Sequence, residues 1–303
     1  MSQKKILIIK LGALGDFVIA IGSMQEIKRM HPDAEFTLMT NSAFLSMAKQ
    51  MGMFSDYIID NRVSYFNLSA QWKLLSSVTN ARFDRIYDLQ GVSRTDKKYF
   101  RMIKLFSKAP FEWVNIYKHE LRRVSSKFGA VQTEPFAFEQ QVTDLRFLHG
   151  ENKHFNLLPE RFVLLIPGCS PKHPYKRWPI EHYSQLACRL AERGISSVVI
   201  GTKAEEAEVS AICSSCDKAV SMLNKTSLLD IPDLCARALA IVGNDTGPSH
   251  MASFSCQPTI GIYDQRTAFA GLRGPKAVNL VSPDTIDKVT VDMVWEKLLE
   301  FGI

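Results

Sequence analysis

The turn at residues 243–250 combines glycines, hydroxyls, a carboxylate and an imidazole. It reads Gly243-Asn244-Asp245-Thr246-Gly247-Pro248-Ser249-His250 and follows a short hydrophobic run. Backbone amides at such a turn, together with the positive end of a following helix, would bind a diphosphate. Thr246 and His250 would add side-chain donors. An ordinary turn, in which Asp245 or Thr246 caps the helix, explains the same residues equally well.

Two loops earlier in the chain offer complementary groups. Ser170 follows a Pro-Gly-Cys turn, and Lys176 stands just before Trp178. A hydroxyl and a fixed cation there would stabilise the charge that grows on a departing phosphate. Glu205 comes after another hydrophobic run, where a carboxylate could accept hydrogen bonds from a ribose. The simpler alternatives are a solvated basic loop and an acidic residue in the first turn of a helix.

A carboxylate near the beginning of the chain is the candidate proton acceptor. Asp16 ends the loop Gly12-Ala13-Leu14-Gly15-Asp16, which follows the first hydrophobic run. A helix N-terminus favours the ionised carboxylate, which could accept a proton, although a structural N-cap is the simpler explanation. The loop lacks the Lys-Ser/Thr pair of a P-loop and the three glycines of a dinucleotide loop. It therefore gives no indication of ATP hydrolysis or NAD binding.

The elements that would position these residues alternate along the chain. Short β-branched runs and stretches of helical periodicity predict a β-α-β unit over residues 5–40, and the alternation continues to about residue 89. The pattern weakens from Gly91 to Leu148, where we predict helices and loops. A second series begins with a strand at 162–166, after a polar joint at 150–154.

Length and composition agree with two domains. The chain has 303 residues, of which 46% are hydrophobic and 22% charged, and these values exclude a largely disordered, collagenous or coiled-coil protein. We predict an α/β protein with domains at residues 1–155 and 156–303. Two open parallel sheets would bind ligands at the carboxyl ends of their strands, in a cleft that the domains share. Since no run approaches the ~18 apolar residues of a membrane span, we expect a cytoplasmic protein.

The net charge of +6 is concentrated in one stretch. Residues 92–130 contain ten Lys or Arg against three acidic residues, interspersed with aromatic residues. Such a surface suits docking on anionic lipid, although a basic stretch of this kind is more often a solvated face. Because no recognisable nucleic-acid motif accompanies it, we expect no nucleic-acid partner.

The cysteines do not predict a metal or redox site. All six lie in the second half of the chain, and Cys213 and Cys216 form a single CxxC pair. The pair falls near a predicted helix end, whereas the thioredoxin motif opens a helix, and no second pair or histidine spacing completes a zinc site. We therefore expect no metal, no bound cofactor and a reducing compartment.

Three motifs together resemble glycosyltransferase family 9, the ADP-heptose:lipopolysaccharide heptosyltransferases. They are the loop at 10–16, the segment Lys176-Arg177-Trp178-Pro179 and the turn at 243–250, in the same order as in the family. The resemblance implies a GT-B fold, in which two Rossmann-like domains face each other across a cleft, with the acceptor on the first and the nucleotide sugar on the second. It also implies inverting, metal-independent transfer of a sugar, heptose from ADP-heptose, to a lipopolysaccharide-core or related anionic glycolipid. Such an enzyme would be cytoplasmic and peripheral to the inner membrane.

The resemblance also implies roles for individual residues. Asp16 matches the catalytic base, and Lys176 matches the lysine near the leaving diphosphate. Ser170 stands where the family uses a loop hydroxyl for phosphate, and Glu205 resembles the acid that contacts the ribose. The nucleotide-sugar turn is matched by Asp245, Thr246, Gly247 and His250.

Two other functions remain open at this point. A non-catalytic nucleotide-sugar-binding protein would carry the same binding residues. A nucleotide-dependent oxidoreductase shares the fold class, but it would need the dinucleotide loop that this chain lacks.

Overall fold

The chain folds into two compact units, Met1–Thr143 and Asp144–Ile303. The computed structural model describes residues 3–62, 64, 66–91, 94–107, 110–117, 120–126 and 143–303. Parts of the predicted basic stretch lie outside the described residues, namely 92–93, 108–109, 118–119 and 127–130.

A six-stranded sheet forms the centre of the first unit. Its strands are β1 (Lys5–Ile9), β2 (Glu35–Thr40), β3 (Asp56–Ile59), β4 (Arg85–Asp88), β5 (Glu112–Tyr117) and β6 (Glu120–Ser126). Their order is β3-β2-β1-β4-β5-β6, and all neighbours are parallel except the antiparallel pair β5 and β6. The helices are α1 (Leu14–Met30), α2 (Leu45–Gln50), α3 (Leu68–Ala81) and α4 (Phe100–Phe106), with a π-helical turn at Arg94–Tyr99.

Continuous apolar runs become the central strands because both faces of the sheet are covered. Ile6 to Ile9 of β1 are all buried between β2 and β4. One face of α1 is buried through Phe17, Val18, Ile21, Met24 and Ile27. The helical spacing read from the sequence therefore marks the buried face of this helix.

The prediction of helices and loops from Gly91 to Leu148 is wrong in part, because β5 and β6 lie there. β5 joins the sheet through buried Trp113 and Val114. At its start Glu112 accepts a hydrogen bond from Arg85 Nε on the neighbouring strand (2.6 Å). β6 is an edge strand and, like many edge strands, contains few apolar residues. Its basic composition did not indicate a strand.

The second unit contains a six-stranded sheet that is parallel throughout. Its strands are β7 (Phe162–Ile166), β8 (Ser196–Gly201), β9 (Ala219–Leu223), β10 (Ala240–Asn244), β11 (Thr259–Asp264) and β12 (Ala277–Ser282), in the order β12-β11-β10-β7-β8-β9. The helices are α5 (Ile180–Glu192), α6 (Glu206–Ser214), α7 (Ile231–Arg237), α8 (Gly247–Ser253) and α9 (Val291–Glu300). The sequence did not predict β9, β12 or α9. The two strands lie at the sheet edges, and their residues are only partly buried.

The division between the units falls earlier than the predicted boundary after residue 155. Thr143 belongs to the first unit, where its hydroxyl donates to Val18 O of α1 (3.2 Å). The polar joint belongs to the second unit, because Gly150 N donates to Asp233 Oδ2 (3.2 Å) and Asn152 Nδ2 donates to Lys225 O (2.6 Å). These hydrogen bonds place the joint within a folded unit.

The strand order of each unit indicates where ligands bind. In both sheets the order reverses beside the first strand, between β1 and β4 and between β7 and β10. Open α/β sheets bind ligands outside the carboxyl ends of their strands at this point. The predicted α/β class is confirmed, and in the described part of the chain no helix has the length and apolar character to cross a membrane.

Candidate functional site

Asn244 organises the carboxyl edge of the second sheet. It is the last residue of β10 and is fully buried. Its side-chain oxygen accepts hydrogen bonds from Trp178 N and Tyr183 Oη (3.1 Å each), and its Nδ2 donates to Pro167 O (2.6 Å). One amide therefore fixes the ends of β7 and β10 and the loop that leads into α5. Sequence reasoning did not assign this role, because its partners lie far away along the chain.

Three predicted site residues meet beside Asn244. Lys176 Nζ lies 2.5 Å from Asp245 Oδ2, and His250 Nε2 lies 3.3 Å from Asp245 Oδ1. The Lys176 side chain is 19% exposed, whereas that of Asp245 is 6% exposed. A buried carboxylate thus holds an ammonium group and an imidazole at the edge of the sheet.

The charges in this cluster support one another. Burial by itself would raise the pKa of Asp245, but hydrogen bonds and charge interactions with His250 and Lys176 outweigh it, so the pKa is lowered. Asp245 therefore keeps its negative charge and holds Lys176 in place. The same cluster brings a positive group to the point where the strand order predicts a ligand.

Two buried polar atoms in α8 have no hydrogen-bond partner among the described residues. They are Ser249 Oγ and His250 Nδ1. Leaving such an atom buried and unpaired costs roughly 1–3 kcal/mol. Gly243 is needed beside them, because a Cβ there would lie 2.5 Å from Ser249 Oγ.

Thr246 and Gly247 lie at the start of α8. Thr246 is the N-cap residue of α8, but its side chain makes no capping hydrogen bond. Both residues are half-buried, and Asp245 is engaged with Lys176 and His250. In an ordinary turn Asp245 or Thr246 would cap the helix, but neither side chain does so here.

Glu205 and Ser170 lie on neighbouring loops of the same edge. Glu205 Oε2 accepts hydrogen bonds from Thr202 N (2.9 Å) and Thr202 Oγ1 (2.7 Å), which complete a capping box. A Cβ at Gly168 would lie 3.0 Å from Glu205 Cγ, so the glycine allows the carboxylate to lie close to the loop after β7. Ser170 is exposed in that loop. Glu205 therefore has a structural role, and a ribose contact would be additional to it.

The neighbouring thiols are poorly suited to redox chemistry. Cys169 is buried and accepts from Arg177 Nε (3.4 Å), and Arg177 also pairs with Glu208. Burial raises the pKa of Cys169, and burial raises that of Cys213 as well. Because the thiolate is the reactive form, a raised pKa does not favour redox or metal chemistry. Among the described residues, no three His, Cys, Asp or Glu side chains are grouped so as to hold a metal ion.

Asp16 lies at the carboxyl edge of the first sheet. It is an exposed residue in the first turn of α1, whose N-cap is Ala13. The expectation that Asp16 caps the helix is therefore wrong, because the helix begins earlier than the apolar spacing indicated. The carboxylate is left free of a capping role and faces solvent.

The loop that carries Asp16 is hydrogen-bonded to the segments that follow two other strands. Leu11 N donates to Gln90 Oε1 (2.9 Å) after β4, and Arg62 Nη2 donates to Gly12 O (2.8 Å) from the turn after β3. Lys10 is buried and donates to Leu89 O (2.9 Å). Burial lowers the pKa of Lys10, while the charges of Asp16 and Asp88 oppose that shift.

A second charge cluster lies behind this loop. Asp60 is buried after β3 and accepts hydrogen bonds from Tyr99 Oη and from Arg62 N (2.8 Å). Arg94 Nε donates to the same Tyr99 oxygen (2.8 Å). Burial and the bond to Asp60 raise the pKa of Tyr99, so its hydroxyl remains protonated. These residues fix the turn from which Arg62 reaches Gly12. Sequence reasoning did not identify them, because they come from separate parts of the chain.

Comparison with known proteins adds the family to this geometry. Residues 100–287 match glycosyltransferase family 9 (heptosyltransferase), over more than half of the chain. The chain belongs to glycosyltransferase family 9. The resemblance inferred from the three motifs is confirmed. The family match includes Lys176, Asp245 and His250, whereas Asp16 precedes it.

Individual family 9 relatives agree with this assignment. The lipopolysaccharide core heptosyltransferase OpsX of Haemophilus influenzae is 22% identical over 290 residues, which cover 86% of this chain and 79% of OpsX. Lipopolysaccharide heptosyltransferase 2 of Salmonella typhimurium is 36% identical over 115 residues, which cover 36% of this chain and 33% of that protein.

The fold of this family 9 chain matches solved structures over its whole length. The E. coli heptosyltransferase WaaC with ADP superposes with a TM-score of 0.72 at 18% identity, covering 98% of this chain and 99% of WaaC. The predicted GT-B class, with two Rossmann-like units, is confirmed.

Proposed function

We propose that this chain transfers heptose from ADP-heptose to a lipopolysaccharide-core acceptor. Membership of family 9 supports glycosyl transfer and argues against the alternative of an oxidoreductase. The names of the relatives, OpsX among them, support a lipopolysaccharide core acceptor. The ADP in the WaaC structure supports an adenosine diphosphate donor.

The observation that carries the proposal is the contact of Lys176, Asp245 and His250 beside Asn244. An ammonium group held at the carboxyl edge of a parallel sheet is suited to the diphosphate of a nucleotide sugar. As the bond between sugar and diphosphate breaks, negative charge grows on the ADP oxygens, and Lys176 stabilises it. Asp245 holds the lysine in position through one carboxylate oxygen and contacts His250 through the other.

Asp16 serves as the base in this proposal. Its exposed carboxylate takes the proton of the acceptor hydroxyl while that oxygen attacks the anomeric carbon. ADP leaves from the opposite face of the sugar, so the configuration of that carbon is inverted. The step uses one base and one stabiliser of the leaving group and assigns no role to a metal.

The remaining contacts concern the donor nucleotide. Glu205 binds the ribose through the oxygen that does not complete its capping box. Ser170, Thr246 and Gly247 bind phosphate oxygens with a hydroxyl or a backbone amide. Ser170 follows β7, Glu205 follows β8, and the Thr246-Gly247 pair follows β10. All of them therefore lie on the same sheet edge as Lys176.

The acceptor is an anionic, lipid-anchored glycolipid in this proposal. The enzyme works in the cytoplasm at the periphery of the inner membrane, and the basic stretch 92–130 contacts anionic lipid there. Arg101 and Lys104, which lie in this stretch on α4, are both exposed, as such a contact requires.

A direct assay tests the proposal. Purified protein is incubated with ADP-heptose and a heptose-deficient lipopolysaccharide precursor, with and without EDTA, and the product is analysed by mass spectrometry and by NMR of the new linkage. We expect addition of one heptose, an inverted anomeric configuration and no effect of EDTA. Binding of ADP-heptose without any transfer would instead favour a non-catalytic sugar-nucleotide-binding protein.

A further inference from the structure

An exposed apolar surface covers neighbouring parts of α3 and α4. Leu68 and Trp72 on α3 are 77% and 60% exposed, and Leu105 and Phe106 on α4 are 75% and 46% exposed. Phe66, just before α3, is 95% exposed. We call these five residues the α3–α4 patch. Large apolar side chains that cluster on a surface usually mark a binding face.

The residues of the patch form a connected surface. Leu68 and Trp72 are four positions apart on α3 and therefore lie on one side of the helix. The Trp72 ring packs edge-to-face against Phe106, with ring centroids 5.7 Å apart. Leu105 precedes Phe106 at the end of α4. Two helices thus present aromatic and aliphatic groups together.

Positive charge surrounds these apolar groups. Lys73 follows Trp72 on α3, Arg101 stands one turn before Leu105 on α4, and Lys104 directly precedes Leu105, all three exposed. Neither helix contains an acidic residue. Surfaces that bind anionic membranes combine exposed apolar groups with cations at their border.

We propose that the α3–α4 patch docks on an anionic phospholipid bilayer, with Trp72 and Leu105 inserted at the headgroup level and Arg101 and Lys104 on the lipid phosphates. The inference rests on the proposed function in one respect, since a lipid-anchored acceptor requires the enzyme to work at a membrane. A second copy of the chain does not fit the patch, because two such surfaces would bring the same cations together.

Vesicle sedimentation of the full chain tests the proposal. We expect binding to vesicles of phosphatidylethanolamine and phosphatidylglycerol but little to phosphatidylcholine alone. Leu105→Ser should weaken binding about tenfold, and Arg101→Gln with Lys104→Gln should weaken it about 25-fold, since each cation contributes about fivefold. The matched controls are Leu157→Ser, at a leucine that is 76% exposed in the second unit, and Lys218→Gln with Lys276→Gln at exposed lysines there. The controls should bind as the wild-type chain does.

Tryptophan emission reports on the patch itself. Trp113 and Trp178 are fully buried, and Trp295 is half-buried on α9 of the second unit, outside the patch, so Trp72 should account for most of a blue shift when phosphatidylglycerol vesicles are added. Trp72→Phe should remove the shift and retain most of the binding. Absence of vesicle binding by the wild-type chain, equal weakening by Leu105→Ser and Leu157→Ser, or binding without a Trp72-dependent shift would overturn the proposal.

Activity separates this inference from the proposed function. On a deacylated, water-soluble acceptor, Leu105→Ser should transfer heptose at the wild-type rate, whereas on acceptor in vesicles it should be slower. If no variant transfers heptose but vesicle binding follows the patch, the proposed function fails and the docking surface stands. If transfer occurs but vesicle binding does not depend on the patch, the reverse holds.

Discussion

The two sheet edges neutralise their charges in different ways. In the second unit, Lys176, Asp245 and His250 are paired with one another and largely buried. In the first unit, the candidate base Asp16 is exposed, and the buried charges of Lys10 and Asp60 are satisfied behind it by other groups. The difference suits the proposed chemistry. A fixed cation stabilises the same diphosphate in every reaction, while an open carboxylate can meet a large acceptor.

The largest effect expected from this comparison is at Asp16. Asp16→Asn removes the base, and we expect kcat to fall by about 10²–10⁴. The melting temperature should fall only slightly and ADP binding should not change, because Asp16 is exposed and caps no helix, so only its charge at the helix N-terminus and near Lys10 is lost. Heptose transfer, thermal melting and ADP titration measure these quantities. Asp33→Asn, at an exposed residue beyond the other end of α1, is the control. Retention of full activity by Asp16→Asn would assign the base to another residue.

Lys176 should show the next largest effect. Lys176→Ala removes the stabiliser of the leaving group, and we expect kcat to fall by about 10²–10³ together with weaker ADP binding. Lys172→Ala, at an exposed lysine of the same loop, should behave as the wild type. The comparison of the two edges is contradicted if Lys176→Ala loses stability but keeps its turnover, since the lysine would then serve only to neutralise Asp245.

Asn244 should contribute mainly to stability. Asn244→Ala leaves Trp178 N, Tyr183 Oη and Pro167 O without their buried partner, and we expect the free energy of unfolding to fall by about 3 kcal/mol. Chemical denaturation measures this change. A change below about 0.5 kcal/mol would mean that water replaces the amide and that the edge is less rigid than its hydrogen bonds indicate.

The smallest effect concerns acid stability. Because the pKa of Asp245 is lower in the folded chain than its ordinary value, its ionised form stabilises the fold above that ordinary value. This contribution is lost as the pH falls through the lowered pKa, when the carboxyl group becomes protonated. Asp245→Asn should therefore flatten the decline of stability below about pH 4, as measured by melting temperature against pH. A decline as steep as that of the wild type would assign the acid sensitivity to other carboxylates.

The sequence predicted most of the strands that are covered on both faces, because burial on two sides demands a continuous apolar run. β1 and β7 are recognisable in this way. The sequence did not predict β6, β9 and β12, which lie at sheet edges, where fewer apolar residues are required. It also missed the inner strand β5, whose segment mixes basic and aromatic residues, whereas it did predict the edge strand β3. The missed strands could be identified only once their neighbours in the sheet were known.

The candidate site was predictable only in part, for a related reason. The glycine-bearing turn at 243–250 identified Asp245 and His250, and the loop before Trp178 identified Lys176. Both signals are local in the sequence. The partners of Asn244 and Arg62 are not local, because Asn244 donates to a carbonyl 77 positions away and Arg62 to one 50 positions away. Contacts of this kind depend on the order of strands in the sheet, which the composition of a loop does not encode.

The buried indole of Trp178 links the loop that carries Lys176 to the last part of the chain. Its Nε1 donates to Val289 O (2.6 Å), just before α9, while its backbone N is held by Asn244. The family match ends at residue 287, yet a carbonyl group just beyond it anchors the segment that bears Lys176. A truncation that ends before Val289 would remove no residue of the proposed reaction and would still release Lys176 from this support.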